Sequence, residues 1–201
     1  MIPPSGFKRF LVRCARINHY NGYGVHSPFA YAFITDVIYE KTPYYAYSIL
    51  KDKVGSSQTG LSEKVNKLLF RIANRVGAGT VYMVGQESVS ECYLKKAKAQ
   101  IAFRFFHSGT AAITLGERVD LLFLNHYQNP GLMREDFLTL LPCMTPQSVC
   151  VILGIGWSAT MKRLWQELIA HPSIGITFNL YDLGIIFFDT TKHKQNYIVS
   201  F

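Results

Sequence analysis

Apolar and polar positions follow two different patterns along the chain, and the change falls near residue 61. Before it, apolar residues recur at helical spacing, as in HSPFAYAFITDVIYE, where Ser27 is expected to cap a helix and Pro28 to occupy its first position. After it, short apolar runs alternate with amphipathic segments, which is typical of a mostly parallel sheet covered on both faces. We therefore predict a helical extension over residues 1–60, packed on a core domain over residues 61–201.

The second part of the chain predicts an α/β fold that ends in antiparallel strands. An amphipathic helix is expected from Leu61 to Gly77, ahead of the first strand. The C-terminal segments IGITFNLYDLGIIFFD and QNYIVSF are rich in β-forming residues and are expected to pair antiparallel at one edge of the sheet. The other predicted strands are Val81–Val84, Ile101–Phe105, Val119–Leu124 and Val149–Leu153, and the helices between them are Val89–Ala99, Leu132–Leu141 and Ala159–Ala170.

The carboxyl ends of the predicted strands hold the candidates for a binding site, because ligands of open α/β sheets bind there. Gly85 ends the first strand and permits a tight turn. A Gly-x-Gly follows the fourth strand, but it is a weak phosphate-binding signal without a third glycine and a nearby acid. The candidates for cofactor binding are Gly85, Gln86, Asn125, His126, Gly154 and Trp157.

Catalytic and metal-binding groups cannot be assembled from residue spacing. The six histidines are scattered, with no pair at metal-ligand spacing on a predicted helix, so no metal site is predicted. His26, in YGVHSPF, either holds a loop in place by hydrogen bonding or acts in catalysis, and Tyr23 and His26 are candidates for a lid. The aromatic segment TPYYAYSIL is expected either to cover the cleft or to form a homodimer contact.

The chain carries a net charge of +8, which favours anionic partners such as nucleic acid, phosphates or lipid head groups. Part of this excess lies near the N-terminus, on a predicted amphipathic helix. Its apolar residues are expected to pack on the domain, and the alternative is that the helix lies on a membrane surface. The apolar positions are Phe7, Phe10, Leu11, Cys14 and Ile17, and the basic positions are Lys8, Arg9, Arg13 and Arg16.

Cysteine usage and the lengths of the apolar runs favour a cytoplasmic protein. The four cysteines lack Cys-x-x-Cys spacing and fit neither a zinc site nor a dense disulfide framework. No apolar run reaches the length of a membrane span, and the first twenty residues lack the pattern of a signal peptide. We expect reduced thiols and no transmembrane segment.

Two segments resemble a known family. YGVHSPFAYAFITDVIYE is similar to the GVHSPF segment of predicted class I S-adenosylmethionine-dependent methyltransferases common in Bacteroidetes, and the region from GWSATMKRLWQELIAHPSIGITFNLYDLGIIFFD through KQNYIVSF resembles their C-terminal part. The resemblance implies a Rossmann-like methyltransferase fold with a seven-stranded sheet and an antiparallel C-terminal hairpin. It also implies S-adenosylmethionine as cofactor, held by a glycine-rich first loop and by acids at three strand ends.

The sequence departs from this family at the cofactor positions. The acid-x-Gly entry corresponds to Met83-Val84-Gly85, the second glycine corresponds to Val89, and the aspartate after the fourth strand of the family corresponds to Asn125. The acid after the second strand is absent, because no Asp or Glu occurs between Glu91 and Glu117. The paired aspartates and the histidine before Trp157-Ser158 correspond to Leu153, Gly154 and Gly156.

These departures favour a methyltransferase homologue that has lost or weakened cofactor binding and acts as a non-catalytic interaction protein. The alternative is an active methyltransferase that holds the cofactor through backbone groups, Gly85, Asn125 and aromatic stacking. Methyl transfer between bound substrates can depend largely on proximity, so missing acid–base residues leave this alternative open. A third interpretation is binding to an anionic surface through the basic N-terminal helix.

Overall fold

A computed structural model describes residues 3–20, 22–54, 62–86, 88–110 and 116–201, with the backbone alone over 51–54. The predicted boundary at residue 60 lies outside these ranges, as do Leu61 and Glu87. The division into an extension and a core therefore stays a prediction.

Seven α-helices lie in the described ranges, and two of them continue into other helix types. The segment 34–38 extends α2 as a π-helix, and the segment 141–143 extends α6 as a 3₁₀-helix. A separate 3₁₀ turn covers 17–19. The α-helices are α1 (Gly6–Ala15), α2 (Pro28–Phe33), α3 (Tyr45–Val54), α4 (Glu63–Arg75), α5 (Ser90–Lys96), α6 (Pro130–Leu140) and α7 (Ala159–Ala170).

The strands form one seven-stranded sheet in the order β2-β1-β3-β4-β6-β5-β7. The first four strands of the chain pair in parallel, while β6 is antiparallel to both β4 and β5. This confirms the predicted fold class. The strands are β1 (Thr80–Gly85), β2 (Ala102–His107), β3 (Val119–Leu124), β4 (Met144–Leu153), β5 (Thr177–Asn179), β6 (Leu183–Phe187) and β7 (Asn196–Ile198).

Local sequence signals account for several element ends. Ser27 accepts a hydrogen bond from Ala30 N–H, which confirms the predicted N-cap, and Ser158 caps α7 in the same way by accepting one from Met161 N–H. One strand prediction is wrong in direction: QNYIVSF forms β7, which pairs in parallel with β5. The connection over residues 188–195 places β7 on the far side of β5, and both strands run opposite to β6, so the two neighbours are parallel.

Two hydrophobic clusters cover the two faces of the sheet. Alternate residues of each strand enter opposite clusters, as Met83 and Tyr82 of β1 do. One cluster contains the buried residues of α2, α4 and α5, and the other contains those of α6 and α7. Ala30, Phe33 and Leu50 belong to the first cluster, so the N-terminal helices share a core with the sheet.

The N-terminal helix packs in the opposite sense from the prediction. The side chains expected to face the domain point to solvent: Phe7 is 71% exposed, Phe10 is 61% exposed and Leu11 is 50% exposed. The basic residues Arg9 and Arg16 face the domain instead, because they find acceptors there. The expectation that α1 buries its apolar face on the domain is therefore wrong.

In the part of the chain that the structure describes, no helix is both long and apolar enough to cross a membrane.

Candidate functional site

Asn125 closes the turn at the carboxyl end of β1. Its Oδ1 accepts a hydrogen bond from Gln86 N–H at 2.7 Å, and its Nδ2 donates one to Gln86 O at 2.6 Å. Asn125 is only 4% exposed. A Cβ placed on Gly85, whose φ is +130°, would lie 2.3 Å from Asn125 Oδ1. Asn125 thus fills the space beside Gly85 that a side chain would otherwise occupy.

His126 and Asp136 join two strand ends beneath this turn. His126 Nδ1 lies 3.1 Å from Val84 O, and its Nε2 lies 3.0 Å from Asp136 Oδ2 without hydrogen-bond alignment. Asp136 accepts from Gly109 N–H at 3.2 and 3.0 Å, which fixes the turn after β2. His126 and Asp136 are 3% exposed, so neither is placed to meet a ligand.

Trp157 is held at the carboxyl end of β4. Its Nε1 donates to Asp182 Oδ1 at 2.6 Å, and its ring lies edge-on to Tyr127 at a centroid distance of 4.6 Å. Gly154, with φ of +78°, allows this arrangement because a Cβ there would lie 3.0 Å from both Trp157 Cε3 and Tyr127 Cβ. Asp182 also accepts from Arg9 Nε at 3.1 Å, so α1 is attached to the same group.

The structure does not bring Tyr23 and His26 to the strand ends that carry the other candidates. Both are exposed, and Tyr23 is 81% exposed. Three residues beyond His26, the ring of Phe29 meets Phe187 at 5.0 Å, and Phe187 pairs with Val149 near the opposite edge of the sheet. Neither side chain makes a hydrogen bond or ion pair within the described ranges, so a lid role stays a prediction without structural support.

The aromatic segment TPYYAYSIL, which includes the first residues of α3, packs on a helix of the domain. The rings of Tyr44 and Tyr47 lie 5.1 and 5.2 Å from that of Phe70 in α4, and Leu50 is buried. Tyr45 is 83% exposed on the outer side. These contacts attach the segment to α4, and a homodimer contact through Tyr45 stays a prediction.

Sequence reasoning missed the two acids that organise the site, Asp136 and Asp182. Asp136 carried a detectable signal, because it lies at helical spacing with the apolar residues Met133 and Leu140 of α6. Asp182 had no comparable signal, since its partners are remote in sequence. No group of three His, Cys, Asp or Glu side chains suited to a metal ion occurs in the described ranges.

Comparison with solved structures places this fold among methyltransferases. An SAH-bound methyltransferase from Podospora anserina matches with a TM-score of 0.56 at 10% identity, covering 94% of this chain and 98% of that one. An O-methyltransferase from Streptomyces achromogenes in complex with SAM matches with a TM-score of 0.51 at 14% identity, covering 73% and 91%. A methyltransferase from Geobacter sulfurreducens matches with a TM-score of 0.50 at 6% identity, covering 82% and 98%.

The chain thus has the Rossmann-like fold of class I methyltransferases, and at these identities the likeness shows the fold alone. No family model and no curated protein matches the sequence.

The described residues do not fit S-adenosylmethionine. The approach to Gly85 is occupied by Asn125, whose amide is engaged at both ends with Gln86. The turn after β2 is described over residues 108–110, where Ser108, Gly109 and Thr110 provide no carboxylate for a ribose. Three cavities lined by described residues, at Lys64, at Phe29 and at Leu141, do not include Gly85 or Asn125.

Proposed function

We propose that this protein is a methyltransferase homologue that has lost or strongly weakened S-adenosylmethionine binding and acts as a non-catalytic interaction protein. The observation that carries the proposal is the double hydrogen bond between Asn125 and Gln86 above Gly85. Opening this turn for a ligand would break both hydrogen bonds and expose buried polar groups.

The free cysteines, of which Cys143 and Cys150 are buried, support a reducing compartment such as the cytoplasm.

The energetic argument concerns the missing carboxylates. A hydrogen bond to a charged group contributes roughly 1.5–3 kcal/mol, more than a neutral one. A site that lacks such acceptors at the ends of β1 and β2 would lose several kcal/mol of affinity, and each 1.4 kcal/mol corresponds to about tenfold in Kd. Binding at cellular concentrations of the cofactor is therefore not expected.

Thermal unfolding with S-adenosylmethionine and S-adenosylhomocysteine tests this proposal. A ligand that binds only the folded state at a concentration of about 100 times its Kd stabilises the protein by about 2.7 kcal/mol. We expect no change in the unfolding temperature at millimolar ligand, relative to adenosine as control. A clear rise with either ligand, absent with adenosine, would favour the alternative of an active methyltransferase.

Binding to an anionic membrane surface is a second candidate, supported by the exposed apolar side of α1. The outward residues Phe7, Phe10 and Leu11 lie opposite the side that meets the domain, and Lys8 and Arg13 flank them. No acidic residue occurs before position 36, so this surface is basic and would repel a second copy of itself. An apolar helix side flanked by cations is the arrangement that binds anionic lipid interfaces.

Vesicle co-sedimentation tests this second candidate. We expect binding to phosphatidylcholine vesicles that contain phosphatidylglycerol, loss of binding at high salt, and little binding to phosphatidylcholine alone. The double variant Phe7→Ser, Phe10→Ser should abolish binding. The variant Tyr45→Ser, which changes an equally exposed aromatic residue on α3, should bind as the native protein does. Equal binding by both variants would reject a role for α1.

A further inference from the structure

A cavity of about 220 Å³ lies between α1, the start of α4 and the turn that joins β5 to β6. This turn is at the same edge of the sheet as Gly154, because Leu183 pairs with Leu153 at the carboxyl end of β4. The cavity is separate from the closed turn at Gly85. The residues that line it and carry the argument are Arg9, Arg13, Arg16, Lys64, Tyr181 and Asp182.

The cavity has an excess of positive charge. Four cations and a single carboxylate line it, and that carboxylate, Asp182, is shared between Arg9 and the indole of Trp157. Arg16 donates to neutral acceptors, Asn179 O at 2.9 Å and Asn179 Oδ1 at 2.9 Å. Arg13 and Lys64 form no ion pair with any described carboxylate. At least two positive charges are therefore left for an external anion.

The pKa of Lys64 is lowered at this cavity. Its Nζ lies 3.8 Å from the centre of the Phe201 ring, at the rim of the cavity. Desolvation, reinforced by the charge of Arg13, lowers the pKa of Lys64 to about 8. An anion between Lys64 and Arg13 would relieve this repulsion and restore the ammonium charge.

Tyr181 supplies a second and independent sign of a ligand site. It has φ of +71° and is the only non-glycine residue with positive φ in the described ranges. Such a conformation is strained for a bulky residue and is found mainly at functional sites. Tyr181 is 7% exposed, yet its hydroxyl has no hydrogen-bond partner in the described structure. Burial raises the pKa of Tyr181, so the hydroxyl keeps its proton.

We propose that this cavity binds a small phosphate-bearing ligand, with Lys64 and Arg13 supplying the positive charge. Several cations around one point suit a phosphate group, which has more than one charge and several acceptor oxygens, better than they suit a carboxylate. The cavity is smaller than the range of about 300–1,000 Å³ typical of drug-sized ligands. It therefore suits one or two phosphate groups on a small molecule better than a whole nucleotide.

Calorimetric titration with inorganic pyrophosphate tests the proposal, at constant ionic strength set with chloride. We expect saturable binding to the native protein and about tenfold weaker binding to Lys64→Gln, the size expected for the loss of one charged hydrogen bond. The matched control is Lys162→Gln, on the exposed side of α7, which should bind pyrophosphate as the native protein does.

Three outcomes would overturn the proposal. Absence of saturable binding to the native protein would reject the site. Equal affinities of Lys64→Gln and Lys162→Gln would show that pyrophosphate responds only to the overall positive charge. Acetate binding as tightly as pyrophosphate would reject a phosphate ligand. Unfolding curves of all variants, recorded in parallel, show which of them retain the native fold.

Discussion

Asn125 closes the turn after β1 through both ends of its side-chain amide. Its amide has both a donor and an acceptor, and Gln86 supplies the complementary backbone groups. A carboxylate at this position could accept from Gln86 N–H but could not donate to Gln86 O. Asn125 is therefore suited to close the turn, whereas an aspartate would leave the Gln86 carbonyl without this donor.

The variant Asn125→Ala should lower the free energy of unfolding by about 2–4 kcal/mol, because it leaves two backbone groups of a partly buried turn unpaired. Gln86→Ala is the control, since it keeps those backbone groups and loses only a side-chain bond to Gln128 near the surface. It should change the stability by less than about 0.5 kcal/mol. Urea unfolding measures both, and equal effects of the two variants would contradict a closing role for Asn125.

Lys64 gives the phosphate proposal a pH dependence. Its pKa of about 8 means that the ammonium loses its charge as the pH rises through 8, so anion affinity should fall over that range. Pyrophosphate titrations of the native protein below and above pH 8 should show this fall in affinity. Lys64→Gln should show only the change caused by ionisation of pyrophosphate. The same dependence of affinity on pH in the native protein and in Lys64→Gln would contradict a role for Lys64 in binding. The other charged groups around Lys64 are Arg9, Arg13 and Arg16 of α1, Arg71 of α4, and Asp182.

At the scale of elements, α1 is the helix whose packing departs furthest from its sequence pattern. Its periodicity predicts an amphipathic helix, and the structure contains one. The pattern predicted the wrong side for the contact with the domain, because the acceptors for Arg9 and Arg16 lie about 160 residues or more further along the chain. Charged hydrogen bonds and the contact of Val12 with the core place α1 with its basic side inward.

The attachment of α1 can be tested through Asp182. Asp182→Ala should lower the free energy of unfolding by about 1–3 kcal/mol, since it leaves the Trp157 indole and Arg9 without their acceptor. It should also speed hydrogen exchange of the amides in α1. Glu167→Ala removes a similar carboxylate from an exposed pair with Arg134 and should change the stability by less than about 1 kcal/mol. Unchanged exchange in α1 would show that Asp182 does not hold this helix.

Most of the sheet could be predicted because its strands are short apolar runs between helices with clear caps. β3 and α7 begin and end at the predicted residues, since each is bounded by polar or capping residues such as Ser158. The parallel direction of β7 could not be predicted, because it depends on the path of the connection after β6. Local patterns thus define the elements, whereas long-range hydrogen bonds decide how the outer ones attach.

At the scale of the whole molecule, the chain has the fold of methyltransferases, and its own side chains close the first turn at the carboxyl edge of the sheet. The turn at Gly85 is closed by Asn125, and His126 and Asp136 are buried beneath it. The sequence indicated the loss of acids at this edge, but it could not reveal the cavity under α1. That cavity is formed by Lys64, Tyr181 and the arginines of α1, which are far apart in the chain.

The proposed loss of cofactor binding is tested most directly by calorimetric titration of the native protein with S-adenosylhomocysteine and S-adenosylmethionine. Closure of the turn at Gly85 by Asn125 predicts no saturable binding of either ligand up to millimolar concentration. Micromolar binding of S-adenosylmethionine, competed by S-adenosylhomocysteine, would contradict it and would make a search for the methyl acceptor the next step.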